Sequence, residues 1–360
     1  MSYNVDIHFY RVGHGLFSYG QIKNDKNSAI YTWVYDCGSH SKRLINKSIK
    51  TYKNINNNAE TDLLVISHFH RDHINGVQEL LKQIRVKTIL LPYIPVWQRL
   101  LIGLYYRKYD NDYWNFLQNP RAFFSDKAPE STQVYVYRKD DEDGLKIEEI
   151  PPLREGVAVD SLSATQRCGI VSGTPIVTKM SSVWTFIPYN SPCINGAIPL
   201  SFKQSARTLM SQLVNASGTT AAVNYFSQLK NTYRDAIKNQ NRSSLFLLGE
   251  AYGNHRTLLK KGILYTGDGF LKNVTDFDDL EKIMGKLQSR VSCFQVMHHG
   301  SSYNWHQGLA AKIAPDNSII GANPPSSGYP PHPNVIKDFS NYGLEILGKH
   351  GSVWQTNICL

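Results

Sequence analysis

Three histidines and an aspartate, His68, His70, Asp72 and His73, fall within six positions of the string SHFHRDHING that runs from Ser67 to Gly76. Imidazole nitrogens suit zinc, manganese or iron, and a carboxylate suits the harder end of that range, so this density of donors points to metal binding. A single histidine is more often a satisfied structural residue. Four such donors within one turn of chain form a different object. The apolar run Leu63, Leu64, Val65 and Ile66 directly before them reads as a short buried strand, which puts the donors on the loop leaving its end.

Three further segments repeat that plan. Thr32 to Tyr35 leads into Asp36, Cys37, Gly38 and Ser39; Gly262 to Thr266 leads into Gly267, Asp268 and Gly269; Cys293 to Met297 leads into His298, His299, Gly300, Ser301 and Ser302. Four strand tips, far apart in sequence, can serve one site only if they meet at one edge of a folded sheet. That arrangement is common in α/β enzymes. Side-chain alternation along a strand predicts that His298 and His299 point to opposite faces and that only one ligates. The preference here is His299 as ligand and His298 as a substrate-contacting group.

The order Asp36, HFHRDH, Asp268 within TGD, and HHGSS resembles the metallo-β-lactamase superfamily, and within it the domain attached to bacterial DNA-uptake channels of the ComEC type and its free-standing relatives. The glycine-flanked turn Val12 to Gly15, the segment Asn241, Ser243, Ser244 and Leu245, and the late pair His332 and Pro333 match in the same order. The resemblance implies a four-layer αββα sandwich of α/β class and a metal-dependent hydrolase. It also implies two divalent metal ions, Zn or Mn. His68 and His70 would hold the first ion, Asp72, His73 and His299 the second, and Asp268 would bridge them. Asp36 would orient a ligand imidazole by hydrogen bonding. Catalytic roles fall to Asp72, His298 and His332, with His14, Asn241, Ser243 and Ser301 around the substrate. Many members supply a third histidine to the first ion. This chain offers only His255 in that interval, within a probable turn, so the first site is expected to be weak or empty.

Two bridged cations imply hydrolysis. The chain carries 39 Lys plus Arg against 29 Asp plus Glu, a formal charge of +10. That excess favours a polyanionic partner, and nucleic acid is the expected substrate, cleaved at its phosphodiester bonds. Lys230, Arg234 and Lys238 form an i, i+4 basic stripe on a predicted helix, which also reads as a solvated face. A small-molecule phosphoesterase of the phosphocholine or cyclic-nucleotide type is one alternative, and a non-catalytic binding subunit that keeps the fold is another.

No apolar stretch approaches membrane-spanning length and the polar start lacks a secretory pattern, so no membrane role is expected. Five scattered cysteines without a C-x-x-C pair fit reduced thiols and a cytoplasmic setting. The expected organisation is a single domain over 1–360, with helical insertions at about 92–127 and 199–240. Apolar residues at helical spacing predict a helix from Val96 to Tyr106, and another is predicted from Ala221 to Lys238. The aromatic 94–118 stretch reads either as core or as a lid or protein-partner surface. Residues 131–148 read as a hairpin with a charged tip, and the proline-rich 323–334 segment as a rigid loop that could carry His332 to the site mouth.

Overall fold

A computed structural model describes residues 2–56, 60–105, 111–138, 150–154, 156–163, 166–190, 200–215, 227, 229, 231, 244–255, 259–325, 329–351 and 353–360. Asn241, Ser243, the charged hairpin tip, the basic stripe and nearly all of the helix predicted at 221–238 lie outside the described residues.

The chain forms two mixed sheets. The first is built from β1 (Asn4–Phe9), β2 (Phe17–Lys23), β3 (Ala29–Cys37), β4 (Glu60–Val65), β5 (Arg85–Pro92), β6 (Thr132–Tyr137), β7 (Arg167–Val171) and a last strand, Trp354–Cys359. It runs antiparallel from that last strand through β1 and β2 to β3, then parallel from β3 to β7. The second contains β8 (Trp184–Asn190), β9 (Leu245–Ala251), β10 (Gly262–Tyr265), β11 (Cys293–Gln295), β12 (Asn317–Ile320) and β13 (Leu344–Ile346), parallel from β10 to β13. The closing strand Trp354–Cys359 is β14.

Strand alternation builds the layers. In β3 and β4, Trp33, Tyr35, Leu63 and Val65 face the second sheet, where they meet Trp184, Phe186, Leu245, Leu247, Ile263 and Tyr265. Their neighbours Val34, Leu64 and Ile66 face outward, under helices. Those helices are α1 (Lys42–Ile55), α2 (Arg71–Ile74), α3 (Val77–Gln83), α4 (Val96–Tyr105), α5 (Asn111–Gln118), α6 (Pro120–Lys127) and α7 (Leu200–Asn215). On the other side, Phe246, Leu248, Leu264 and Phe294 lie under α8 (Val274–Met284), α9 (Leu309–Ile313) and α10 (Pro333–Phe339). The α/β sandwich expected from the sequence is present: helices, sheet, sheet, helices.

Local signals explain several elements. In α1, Leu44, Ile45, Ile49 and Tyr52 recur at helical spacing and are buried, while the Ser41 hydroxyl accepts from the Leu44 backbone N–H at the start. Such a cap stabilises a helix by about 1 kcal/mol. At α8, Asn273 and Asp276 form a reciprocal capping box, and Gly285 ends the helix at φ 78°.

The aromatic insertion is core. Trp97, Tyr113, Trp114, Phe116 and Phe124 are all buried, and burial of such rings stabilises by roughly 1.5–3 kcal/mol each. Tyr113 donates a hydrogen bond to the Phe69 carbonyl at 2.8 Å, so α5 braces the donor-rich loop from behind. The burial of these rings supports the core reading of 94–118, of which residues 106–110 lie outside the described ones. Among the described residues no helix is long and apolar enough to cross a membrane.

Candidate metal centre

The parallel strands β3, β4, β10 and β11 end on one edge, and the loops leaving them carry the donors. After β4 the chain makes the single turn α2, with His70 at its N-cap, which brings Asp72 and His73 back toward the sheet. Close packing holds this turn. A Cβ on Gly38, after β3, would lie 2.4 Å from the Asp72 carbonyl carbon, so only glycine lets the two loops touch. Opposite, Gly267 has φ +53°, and a Cβ there would meet Ser67 Cβ at 2.6 Å. Gln295 fixes that turn: its Oε1 accepts from the Thr266 and Gly267 backbone N–H groups at 2.8 and 2.7 Å.

His298 and His299 do not alternate. The chain leaves β11 at Gln295 and enters a 3-10 turn, with His298 at φ 46° and His299 at φ 56°. Two successive left-handed residues turn both rings the same way, so each Nε2 comes within reach of Asp268, at 3.5 and 3.9 Å. The strand-alternation expectation fails because this segment is not a strand.

Anchoring of the far ring nitrogen is the common theme. Asp36 is fully buried; its Oδ1 accepts from the Ser67 N–H at 2.7 Å, and its Oδ2 from the Ser67 hydroxyl at 2.6 Å and from His73 Nδ1 at 2.7 Å. Because the Ser67 proton goes to Asp36, Ser67 Oγ is left to accept from His68 Nδ1, 2.9 Å away. His299 Nδ1 donates to the Gly321 carbonyl at 2.7 Å. His298 Nδ1 donates at 2.6 Å to Asn304 Oδ1, whose amide nitrogen is used on the Asp268 and Gly269 carbonyls. In the neutral form of all four histidines the proton belongs on Nδ1 and the lone pair on Nε2, the tautomer that metal ligands use.

Those lone pairs converge on two carboxylates. His299 Nε2 lies 3.1 Å and His73 Nε2 3.9 Å from Asp72 Oδ2. His73 Nε2 lies 3.1 Å from Asp268 Oδ1, and His68 Nε2 3.6 Å from Asp268 Oδ2. Two donors on one tetrahedral ion, each about 2.1 Å from it, lie about 3.4 Å apart. The buried Nε2 atoms of His68 and His73 hydrogen-bond to no described residue. Two overlapping groups therefore fit divalent cations, His68 with His73 and Asp268, and Asp72 with His73 and His299, the donor atoms of each within 4.8 Å of one another. His73 borders both groups. His70, with its ring centroid 4.6 Å from that of His68, stands outside both.

The electrostatics match. Burial opposes charge on Asp268, but His298, His73, His299 and His68 outweigh it and hold the carboxyl well below the usual range. Burial likewise opposes charge on Asp72, and His299 and His73 reverse the balance. Burial pushes His68 well below its ordinary value and His70 down to about 4, leaving both rings neutral. Burial also works against a charged His73, yet Asp268 and Asp36 raise it well above normal. A cation held there would take the place of that proton.

The remaining predicted residues are peripheral. His14 is half-buried, its Nε2 donating to the Pro330 carbonyl at 3.1 Å and its Nδ1 accepting from the Asn323 amide at 3.0 Å. Its ring lies 5.6 Å from that of His299. Ser301 is buried, and its hydroxyl accepts from the Tyr303 N–H at 3.3 Å. His332 caps α10, its Nδ1 accepting from the Asn334 N–H at 3.2 Å, while its own N–H donates to the Gly300 carbonyl at 2.9 Å. His255 lies in the turn between β9 and β10, at the opposite end of β10 from Asp268, with its ring against Tyr3. Sequence reasoning missed Ser67, Asn304 and Gln295, which hold donors without being donors. It also missed His40, whose Nε2 lies 3.5 Å from Asp72 Oδ2. The one available signal was proximity in sequence to the recognised motifs.

No protein-family profile matches the chain. Among curated proteins, ribonuclease J of Mycoplasma genitalium is 23% identical over 341 residues, an alignment covering 87% of this chain and 57% of that protein. The chain thus spans little more than half the length of that relative. Among solved structures, the metallo-β-lactamase fold protein YhfI from Bacillus subtilis is 12% identical with a TM-score of 0.41, covering 99% of this chain and 100% of that one. A long form of RNase Z from yeast is 9% identical with a TM-score of 0.39, covering 89% of this chain and 36% of that one. The subclass B3 metallo-β-lactamase MEM-A1, from a soil metagenome library, is 11% identical with a TM-score of 0.31, covering 82% and 81%.

Proposed function

We propose that this chain is a metal-dependent hydrolase of the metallo-β-lactamase superfamily that cleaves phosphodiester bonds, with polynucleotides as its substrates. The observation that carries this reading is the set of four histidines, each anchored through Nδ1, whose Nε2 lone pairs meet on Asp72 and Asp268. In this reading His68, His73 and Asp268 would hold one divalent cation and Asp72, His73 and His299 the other, with His70 beside His68 as a further donor to the first. When bound, the pair supplies Lewis acidity, an activated water and charge neutralisation for a phosphoryl group.

The chain's own residues do the rest. Asp72 and Asp268 orient the attacking water through their unshared oxygen lone pairs. His298 stands at the rim with its side chain 30% exposed, where its imidazole can reach a substrate oxygen. His332 accepts at Nδ1, so its neutral ring carries the proton on Nε2 and can donate it to a leaving oxygen. Asp36 and Ser67 keep His73 and His68 in the ligating tautomer.

Polynucleotide rather than a small ester is favoured by the surroundings. Tyr303, next to Asn304, is 72% exposed, with the Lys272 ammonium 5.7 Å above its ring; Tyr329, next to Pro330, is 69% exposed. Exposed aromatic faces beside cations suit stacking of bases and contact with phosphates. The +10 charge and the partial likeness to a ribonuclease J point the same way. The test incubates metal-loaded protein with labelled single-stranded DNA, duplex DNA, RNA and bis(p-nitrophenyl) phosphate, with Asp72→Ala and His73→Ala as controls. Polymer cleavage lost in both variants supports the proposal. Turnover of the small diester with inert polymers would move the substrate to the small-phosphoester class, and full metal occupancy without turnover of any phosphoester would reject hydrolysis of this bond.

A further inference from the structure

We infer that Tyr303 and Lys272 form a subsite for one unstacked base and its neighbouring phosphate, so that the centre acts on single strands in preference to duplexes; this rests on the reading of the chain as a polynucleotide hydrolase. Tyr303 is 72% exposed, and the Lys272 ammonium lies 5.7 Å from the centroid of its ring, within reach of a cation–π contact. One exposed tyrosine is ordinary surface. The backbone beneath this pair sets it apart.

Both residues stand on loops that carry the donors of the centre. Lys272 follows Asp268 by four positions on the loop leaving β10, which keeps their Cα atoms within about 14 Å of each other. Tyr303 follows His299 by four positions on the loop leaving β11. Asn304, only 1% exposed, ties the two loops together. Its Oδ1 accepts from His298 Nδ1 at 2.6 Å, its amide nitrogen donates to the Asp268 and Gly269 carbonyls at 2.8 and 3.0 Å, and its carbonyl accepts from the Leu271 N–H at 2.9 Å. His306 Nδ1 donates to the Leu271 carbonyl at 2.8 Å, and the Tyr303 N–H donates to Ser301 Oγ at 3.3 Å. Lys272 adjoins Leu271 and Tyr303 adjoins Asn304, so each member of the pair sits beside a residue pinned to the other's loop. The ring is thereby displayed at a fixed offset from Asp268 and His298, and little ordering is needed when a base lands on it. Inside a duplex every base already has neighbours on both faces, whereas a single strand can offer one to an aromatic platform. The ammonium beside the ring suits the adjoining phosphate, a contact that carries no sequence information. Neither contact reads the sugar, so DNA and RNA strands should bind alike.

The experiment has a binding arm and a turnover arm. In chelator, which prevents cleavage, short labelled DNA and RNA strands and the matching DNA duplex are titrated by fluorescence anisotropy with wild type, Tyr303→Ala, Tyr303→Trp, Lys272→Ala and the control Tyr252→Ala, which alters an exposed tyrosine at the other end of β10. Wild type should bind strands more tightly than duplex. Tyr303→Ala should weaken strand binding about tenfold, with Tyr303→Trp restoring it and with duplex binding and Tyr252→Ala unchanged. Lys272→Ala should reduce the slope of log affinity against log salt by about 0.7 for strands. With metal restored, Tyr303→Ala should raise KM for strands and leave turnover of bis(p-nitrophenyl) phosphate as in wild type, because that diester carries no flanking base. Wild-type strand binding by Tyr303→Ala, or equal affinity of wild type for strands and duplex, would overturn the subsite, and turnover of the small diester would still support phosphodiester cleavage. Strand binding that depends on Tyr303, in metal-loaded protein that cleaves no phosphoester, would keep the base-binding site and reject the hydrolytic reading.

Discussion

Strands β3 and β4 carry buried carboxylates at both ends, and the two ends are compensated in different ways. At the starting end, Asp62 Oδ2 accepts from the Thr32 N–H at 2.9 Å, and Oδ1 faces the ammonium groups of Lys87 and Lys179 at 3.0 and 2.9 Å. At the finishing end, Asp36 is met by Ser67 and His73, and beyond it Asp72 and Asp268 are met by imidazoles with lone pairs turned toward them. Lysine is a fixed cation that closes the local charge balance by itself. Imidazole is a ligand whose proton a cation can displace, so the balance there stays open to exchange. The difference separates a carboxylate that holds the fold together from carboxylates that wait for a positive charge from outside.

The sharpest way to break the contrast is to remove a carboxylate from the imidazole end. Asp268→Asn should lower the proposed phosphodiesterase activity by about 10³-fold and reduce metal content by elemental analysis, with little change in the melting temperature measured in chelator. Retained metal and activity would mean that Asp268 is structural like Asp62. Asp36→Asn acts one shell further out and should weaken metal binding by about 10–100-fold, read by competitive titration. Proton competition should follow the same geography. Asp268 and Asp36 raise His73, so its Nε2 is protonated in metal-free protein below that raised value, and a cation must displace the proton. Apparent affinity should therefore fall as pH falls, by about tenfold per unit for each displaced proton. His68 and His70, which burial pushes down, add no competition near neutrality; an affinity flat between pH 6 and 8 would contradict this.

At the lysine end, Asp62→Asn should cost stability instead, about 1–3 kcal/mol in urea unfolding, with metal content unchanged. Lys179→Met should cost less than about 1 kcal/mol, since its side chain is 45% exposed and Lys87 remains. Metal loss in either variant would erase the distinction between the two ends.

Much of the finishing end was legible in the sequence, because donor-rich strings after apolar runs signal strand tips and strand tips share an edge. His68, Asp72, His73 and Asp268 come together in that way. The HHGSS segment was misread in detail, since alternation holds only while backbone dihedrals stay extended, and His298 and His299 do not. His40 was invisible for a different reason. A lone histidine after serine carries no pattern, and its place beside Asp72 comes from a loop packed against Asn75 and His14, contacts that only the folded chain makes. The aromatic insertion was legible as helix at α4, whereas periodicity alone could not say that its rings face inward.

The centre draws its donors from both sheets: His68, Asp72 and His73 come from the first, and Asp268, His298 and His299 from the second. Behind it, Tyr35 Oη donates to the Leu245 carbonyl at 2.5 Å, Leu245 N–H donates to the Ser67 carbonyl at 2.7 Å, and the rings of Tyr35 and Tyr265 stack 4.4 Å apart. A cation bound there would act as a rivet through two plates. Loading the protein with metal should then slow the parting of the sheets under force or heat, and two separately expressed pieces, cut between β7 and β8 so that β14 travels with the second sheet's strands, would find in the ion a reason to reassemble.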